Sequence, residues 1–221
     1  MDQTVNDPTP TQSSTQRAYL KLRDDIITGR LEPGERLKID TLKNALDTGA
    51  SPVREALSLL TSDQLVERLD QRGFRVAKTS RAQFQEILEL RCNLEELAVR
   101  DSLANADPAW EDQLVLAHHH MGQASRGDAE AYENLHKSFH MALLSACPSP
   151  ILLRFCSQLY DLNVRYRYLA ARSASYGRRD VEAEHRAILD AAVSRDVDSV
   201  CAHLLDHYRK TGAFLAELII S

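Results

Sequence analysis

The run Ser51-Pro52-Val53-Arg54-Glu55-Ala56-Leu57, followed eighteen residues after Arg54 by Arg72-Gly73-Phe74-Arg75-Val76, constrains this chain more than any other feature. Ser51 reads as a helix N-cap that accepts free backbone N–H groups. Pro52 reads as the first helical residue, where the missing donor costs nothing. Ala56, Leu57, Leu60 and Leu65 supply one apolar face, and Arg54 projects from the first turn, where recognition helices touch DNA. The second stretch reads as a glycine turn between two short strands, a hairpin with a basic tip. A helix offering Ser and Arg in its first turn, followed by a basic hairpin, is the pattern of a winged helix-turn-helix, and it implies double-stranded DNA as partner.

The rest of the chain divides around that motif. Residues 1–16, rich in Thr, Ser, Pro and Gln, read as a disordered tail with no apolar signal segment. Residues 17–78 form the DNA-binding domain. Helical periodicity begins at Ala18 and stops at Gly29, Pro33-Gly34 marks a turn, and Leu37 with Ile39 suggests a short strand. A short helix over Ile39–Leu46 precedes the Ser51–Asp63 helix, and Leu65–Ala77 forms the wing. Residues 79–221 change character: amphipathic segments at about 81–105, 108–125, 128–146, 149–176, 179–194 and 196–219 predict an all-α six-helix bundle. The fold class is therefore mainly α, a winged helix-turn-helix followed by a helical effector-binding and dimerisation domain.

Charge and composition narrow the partners. The net charge is −5 and the first 77 residues are close to charge balance, so a basic DNA surface must be concentrated on one face (Lys38, Lys43, Arg54, Arg72, Arg75) and doubled by dimerisation. No apolar run reaches the roughly 20 residues that span a bilayer. Four cysteines without C-x-x-C spacing read as buried free thiols of a reducing, cytoplasmic location.

Histidines carry the second signal. His136 and His140 are four residues apart and share a helical face, so both can converge on one ion. His185 and His207 lie 22 residues apart and meet at one level if the last two helices pack antiparallel. Such a set suits a divalent ion, Zn²⁺ or Ni²⁺ above others. His136 is either a fourth ligand or a polar bystander of a three-His site. His203 sits one turn before His207, and His118-His119-His120 point in three directions and read as solvated surface. A metal-dependent hydrolase is the enzymatic alternative, but Glu184 and Asp206, adjacent to the ligands in sequence, should point away from them, leaving no general acid or base.

Arg91 falls in the middle of the apolar stripe Phe84, Ile87, Leu94, Ala98 and needs an anionic partner. That partner is either a Glu on a neighbouring helix or an anionic effector, with Arg165, Tyr166 and Arg167 flanking the pocket. A dicarboxylate spanning two anchors fits: glutarate, 2-hydroxyglutarate, citrate or another small organic acid.

These residues resemble the GntR family of bacterial transcriptional regulators through Leu31-x-Pro33-Gly34-x-x-Leu37, Ser51 to Leu57, Leu65-Val66 and Gly73-Phe74-x-Val76. The helical remainder resembles the FCD sensor domain of the FadR branch through Glu89-Leu90-Arg91-x-x-Leu94-Glu95, Phe139-His140, Glu184-His185-x-x-Ile188-Leu189-x-Ala191 and His207. The resemblance implies a metal site of one Asp and three His, with His136 in the place of the Asp, and favours Arg91 as an effector clamp. Arg91-Cys92-Asn93-Leu94-Glu95 and Arg165-Tyr166-Arg167 are similar to the glutarate-responsive repressors of this branch. Ala50 stands where many members carry an Arg, so the resemblance places base contacts on Ser51, Pro52, Arg54, Arg72 and Gly73, with Lys38 and Lys43 beside them. The function it implies is a homodimeric, non-enzymatic repressor of organic-acid catabolism genes, released from its operator by a carboxylic acid. An activator or architectural factor whose bundle only dimerises is the alternative.

Overall fold

A computed structural model describes residues 12–70, 72–124, 129–171 and 180–218, and the chain divides into two compact units, Met1–Lys78 and Thr79–Ser221. In the first unit, α1 (Ser14–Ile27) starts four residues before the expected Ala18, because the Ser13 hydroxyl accepts from Gln16 N and caps it. Most of the expected tail, residues 1–11, lies outside the described residues, while Ser14 to Gln16 are helical. A two-residue strand β1 (Arg36–Leu37) is followed at once by α2 (Ile39–Ala45), so Ile39 begins a helix and does not extend the strand. Then come α3 (Ala50–Ser62), β2 (Val66–Leu69) and β3 (Gly73–Val76). The sheet is antiparallel in the order β1-β3-β2, with Val66 opposite Val76 and Leu69 opposite Gly73. Gly73 turns the hairpin at φ +88°, a conformation that side chains resist. Leu22 and Ile26 of α1, Val53, Leu57 and Leu60 of α3, and Val76 of the wing are fully buried and form this unit's core.

The second unit is helical throughout its described residues: α4 (Arg81–Ala104), α5 (Pro108–Gln123), α6 (Ala129–Leu144), α7 (Pro150–Ala171), α8 (Val181–Val193) and α9 (Val197–Leu218). Punctuation in the sequence marks the ends. Ser80 caps α4, and Asp107 caps α5 with Pro108 beginning the helix. The core gathers Ala98, Val99, Leu114, Phe139, Leu143, Cys156, Ile188 and Leu204. α4 packs against both α7 and α9, and α9 approaches α4 so closely at Gly212 that a Cβ there would overlap Leu88. All four cysteines are buried and free, and burial pushes the Cys156 thiol up to about 12. No helix among the described residues is long and apolar enough to cross a membrane.

Candidate functional site

The helices of the second unit bring four imidazoles to one point. His136 and His140 sit one turn apart on α6. His185 on α8 and His207 on α9 stand at similar distances from the three-residue turn joining those helices, which places them at one level. The four are buried, and their ligand-capable atoms lie within 4.8 Å of one another. His136 Nε2 is 3.0 Å from His185 Nε2 and 3.2 Å from His140 Nε2. Of the two expected roles for His136, the structure places it inside the cluster, not at its margin.

The far side of each ring decides what the near side offers. His207 Nδ1 lies 2.8 Å from Glu184 Oε2 and donates to it, which leaves Nε2 with a lone pair. His140 Nδ1 lies 2.9 Å from the Tyr208 hydroxyl, which itself donates to buried Glu95. His140 is thereby fixed with its Nε2 lone pair turned inward. The expectation that Glu184 points away is overturned. Glu184 precedes His185 on α8, and the α8–α9 hairpin swings its carboxylate onto His207.

Burial holds His136 and His140 well below the usual histidine range, and repulsion among the imidazoles adds to it. Burial, with His207 beside it, pushes His185 to about 2. These three rings are therefore neutral and carry lone pairs at ordinary pH, as a cation requires. The donor set fits a divalent ion: borderline-soft nitrogen donors, inward lone pairs, a carboxylate behind His207 and a tyrosine hydroxyl behind His140. Linkage fixes the sign of the pH response. Unfolded histidines take up a proton near pH 6.5, whereas these do so only far lower, so the unfolded state binds more protons in between. Metal-free protein should hold its stability above about pH 7 and lose it as pH falls from 6.5 toward about 2 for His185. Each such group contributes up to about 1.4 kcal/mol per pH unit. Urea unfolding at several pH values checks this, and a flat midpoint between about pH 7 and 5 would contradict it.

Arg91 is 3% exposed and meets an internal carboxylate, but on its own helix and not on a neighbouring one. Its Nε donates to Glu95 Oε1 at 2.6 Å and its Nη1 to Asn163 Oδ1 at 3.2 Å. The guanidinium lies 3.9 Å from the Tyr208 ring centre and 4.7 Å from that of Tyr160. Its Nη2 is buried with no hydrogen-bond partner among the described residues. Arg91 lines a crevice with Leu88, Asn163, Arg167, His207, Tyr208, Thr211 and Gly212, whose walls leave no room for a water molecule.

Of the other expected effector residues, the structure brings only Arg167 to this crevice. Arg167 pairs with Glu133, and its Nη2 lies 3.2 Å from His136 Nδ1. Arg165 is buried but does not line the crevice. Tyr166, about 100° around the helix from each neighbour, instead faces the start of α4. There its hydroxyl bonds the Ser80 carbonyl and Gln83, and its ring packs on Phe84. Glu95, Asn163, Tyr160, Tyr208 and Glu184 were missed as site residues. The sequence signals for Glu95 are its place in the Arg91-x-x-Leu94-Glu95 motif and its position four residues after Arg91. His118 packs edge-on against Phe139 and is half-buried, whereas His119 and His120 are exposed as expected.

On the first unit, α3 begins at Ala50, two residues before the expected first helical residue Pro52, with Gly49 at the cap. Ser51 and Pro52 therefore lie within the first turn, where Pro52 still sacrifices no helical bond. Arg54, the fifth residue of α3, is exposed where the second turn begins, and together with Lys43, the larger cause, it lowers the carboxyl of Asp40 on α2. Lys38 is exposed at the start of α2, and Lys43 pairs with Asp40 at 2.9 Å. Arg72 and Gly73 are exposed at the wing, while Arg75 is taken by Glu67 across the hairpin at 2.5 Å.

Known proteins agree with this architecture. The description "Bacterial regulatory proteins, gntR family" matches residues 14–76 and "FCD domain" matches residues 86–210. The HTH-type transcriptional regulator BphR of Paraburkholderia xenovorans is 37% identical over 201 residues, covering 88% of this chain and 81% of its own. The HTH-type transcriptional repressor GlaR of Escherichia coli is 31% identical over 186 residues, covering 80% and 84%. The solved structure of E. coli McbR/YncC superimposes with a TM-score of 0.83 at 25% identity, covering 94% of this chain and 99% of that one. Both the family and these relatives are regulators, not enzymes. The chain therefore belongs to the GntR family of bacterial regulatory proteins, and is a DNA-binding transcriptional regulator whose helical half is an FCD domain.

Proposed function

We propose that this regulator is a repressor of organic-acid catabolism genes, released from its operator by a small dicarboxylate bound beside a divalent cation. The observation that carries the reading is the juxtaposition of the His136–His140–His185–His207 cluster with a crevice walled by Arg91 and Arg167. The four imidazoles would hold Zn²⁺ or Ni²⁺, and the bound cation would supply a positive centre that attracts a carboxylate. Arg91 Nη2 offers an uncommitted donor a short way off, so an acid of about glutarate length can satisfy both anchors. The closed crevice means that its walls must part to admit the acid. The acid can act on DNA only through different affinities for the DNA-competent and DNA-incompetent arrangements.

Arg54, Ser51 and Pro52 form the major-groove surface, with Arg72 and Gly73 on the wing and Lys38 and Lys43 on adjacent phosphates. Fluorescence anisotropy on operator DNA from its own locus tests both halves of the proposal. Glutarate should release the DNA, and indifference to every small carboxylic acid would sink the effector assignment. In the same assay Arg54→Ala should weaken specific binding by about 1–3 kcal/mol per half-site.

We assign the partner face of a homodimer to α4 and α7, supported by Leu90, Leu97, Ile151 and Phe155, which these packed helices leave exposed. Leu97→Asp combined with Phe155→Asp should give monomers by sedimentation equilibrium. A wild-type monomer at micromolar concentration would remove the dimer from the account.

A further inference from the structure

We infer that Arg167 holds His136 in the tautomer that cannot accept a cation, and that a carboxylate drawing Arg167 away releases it. This rests on the metal-and-acid reading above and names the element that couples the two ligands.

A guanidinium has donors and no acceptor, so the nitrogen it faces must present a lone pair. Arg167 Nη2 lies 3.2 Å from His136 Nδ1, and the Tyr160 hydroxyl lies 2.5 Å from the same atom. With Nδ1 accepting, the single proton of neutral His136 sits on Nε2, which points into the cluster. The surrounding groups agree with that placement. His140 and His207 turn lone pairs inward because their Nδ1–H groups are taken by Tyr208 and Glu184. His185 Nε2, 3.0 Å away, is then the natural acceptor for the His136 proton. The one inward N–H, on His136, then faces the lone pairs of His185 and His140.

To present Nε2 to a divalent ion, His136 must carry its proton on Nδ1 instead. The Tyr160 hydroxyl can rotate and accept that proton. Arg167 cannot, and two donors would face each other across 3.2 Å. Arg167 must therefore leave Nδ1 before His136 can serve as a fourth ligand. It already lines the crevice with Arg91, and its Nη2 is shared between Glu133 and His136, so a carboxylate there competes with both for the guanidinium. The exchange conserves charge and protons: Arg167 trades the imidazole for the carboxylate, and His136 moves one proton between its own nitrogens. Because linkage is reciprocal, the acid tightens the cation and the cation tightens the acid, by about 5–150-fold for couplings of ordinary size. Arg167 is a positioning residue in this scheme, not a ligand of the ion.

The test uses the full-length protein with ¹⁵N-labelled histidine. Long-range ¹H–¹⁵N correlation on the metal-free protein should show His136 with Nε2 protonated and Nδ1 bare, and glutarate should shift it toward the Nδ1–H form. A His136 already protonated at Nδ1 without glutarate overturns the inference, and this reading needs no variant. Zn²⁺ affinity from chelator competition gives the second arm. Glutarate should tighten Zn²⁺ about 5-fold or more in wild type. Arg167→Met should bind Zn²⁺ tightly without glutarate. Loss of a nearby positive charge could do the same, so the substitution is repeated on a His136→Ala background, where it should leave Zn²⁺ affinity unchanged. Equal tightening in both backgrounds assigns the effect to charge alone and overturns the inference. Protein that binds no Zn²⁺ in any form overturns the metal reading and the coupling with it, while the wild-type spectrum still decides whether Arg167 sets the His136 tautomer.

Discussion

Arg91→Ala should lower the free energy of unfolding by about 3–5 kcal/mol, a large part of the margin of any domain of this size. The loss does not come from the bond energies of the ion pair, because a buried pair gains little over apolar neighbours. It comes from Glu95, 1% exposed, which is left without its cation. Tyr208 still donates to it, but one neutral donor does not compensate a buried carboxylate. Urea unfolding of the single variant, of Glu95→Gln and of the pair checks the mechanism. The double variant should recover much of the single loss, and strict additivity would show that the two side chains do not act as a unit.

His140→Ala should abolish the stabilisation that Zn²⁺ confers. A ligand that binds only the folded state raises stability by about 2.7 kcal/mol at one hundred times its dissociation constant, so a thermal-shift titration reads the loss directly. The groups behind the rings should matter nearly as much. Glu184→Gln removes the charged acceptor that orients His207 Nδ1, and Tyr208→Phe removes the link from His140 to Glu95. Each should weaken Zn²⁺ by about 10–100-fold with little change in fold. Undiminished affinity in both variants would mean that the rings are oriented by packing alone.

Much of the architecture is legible in the sequence. The turn signals at Pro33-Gly34, Asp107-Pro108 and Arg195-Asp196 fall at element boundaries because glycine, proline and capping carboxylates act locally, through the backbone of their own few residues. The His136–His140 pair was readable for the same reason, since two residues four apart share a helical face whatever surrounds the helix. Errors arose where a local rule met a longer-range one. Ser51 looked like a cap, yet α3 starts earlier, at Ala50, and leaves Gly49 in that role. The apolar stripe of α7 makes Tyr166 the inward residue between two flanking arginines, yet that inward face meets the start of α4, and it is Arg167 that reaches the crevice.

What the sequence determined by itself is what short-range physics controls: two architectures in one chain, an exposed Arg54 near the start of its helix, the wing, and four histidines on helical faces that could converge. The tertiary structure alone decided what each imidazole is for. His207 is oriented by a glutamate 23 residues away, His140 by a tyrosine 68 residues away, and that tyrosine by a glutamate at a separation of 113. A buried ring nitrogen has one proton to place, and its placement follows from whichever donor or acceptor the packed helices bring to the other side of the ring. Sequence spacing carries no record of that, because hydrogen-bond partners across a bundle are set by the crossing of helices and not by distance along the chain.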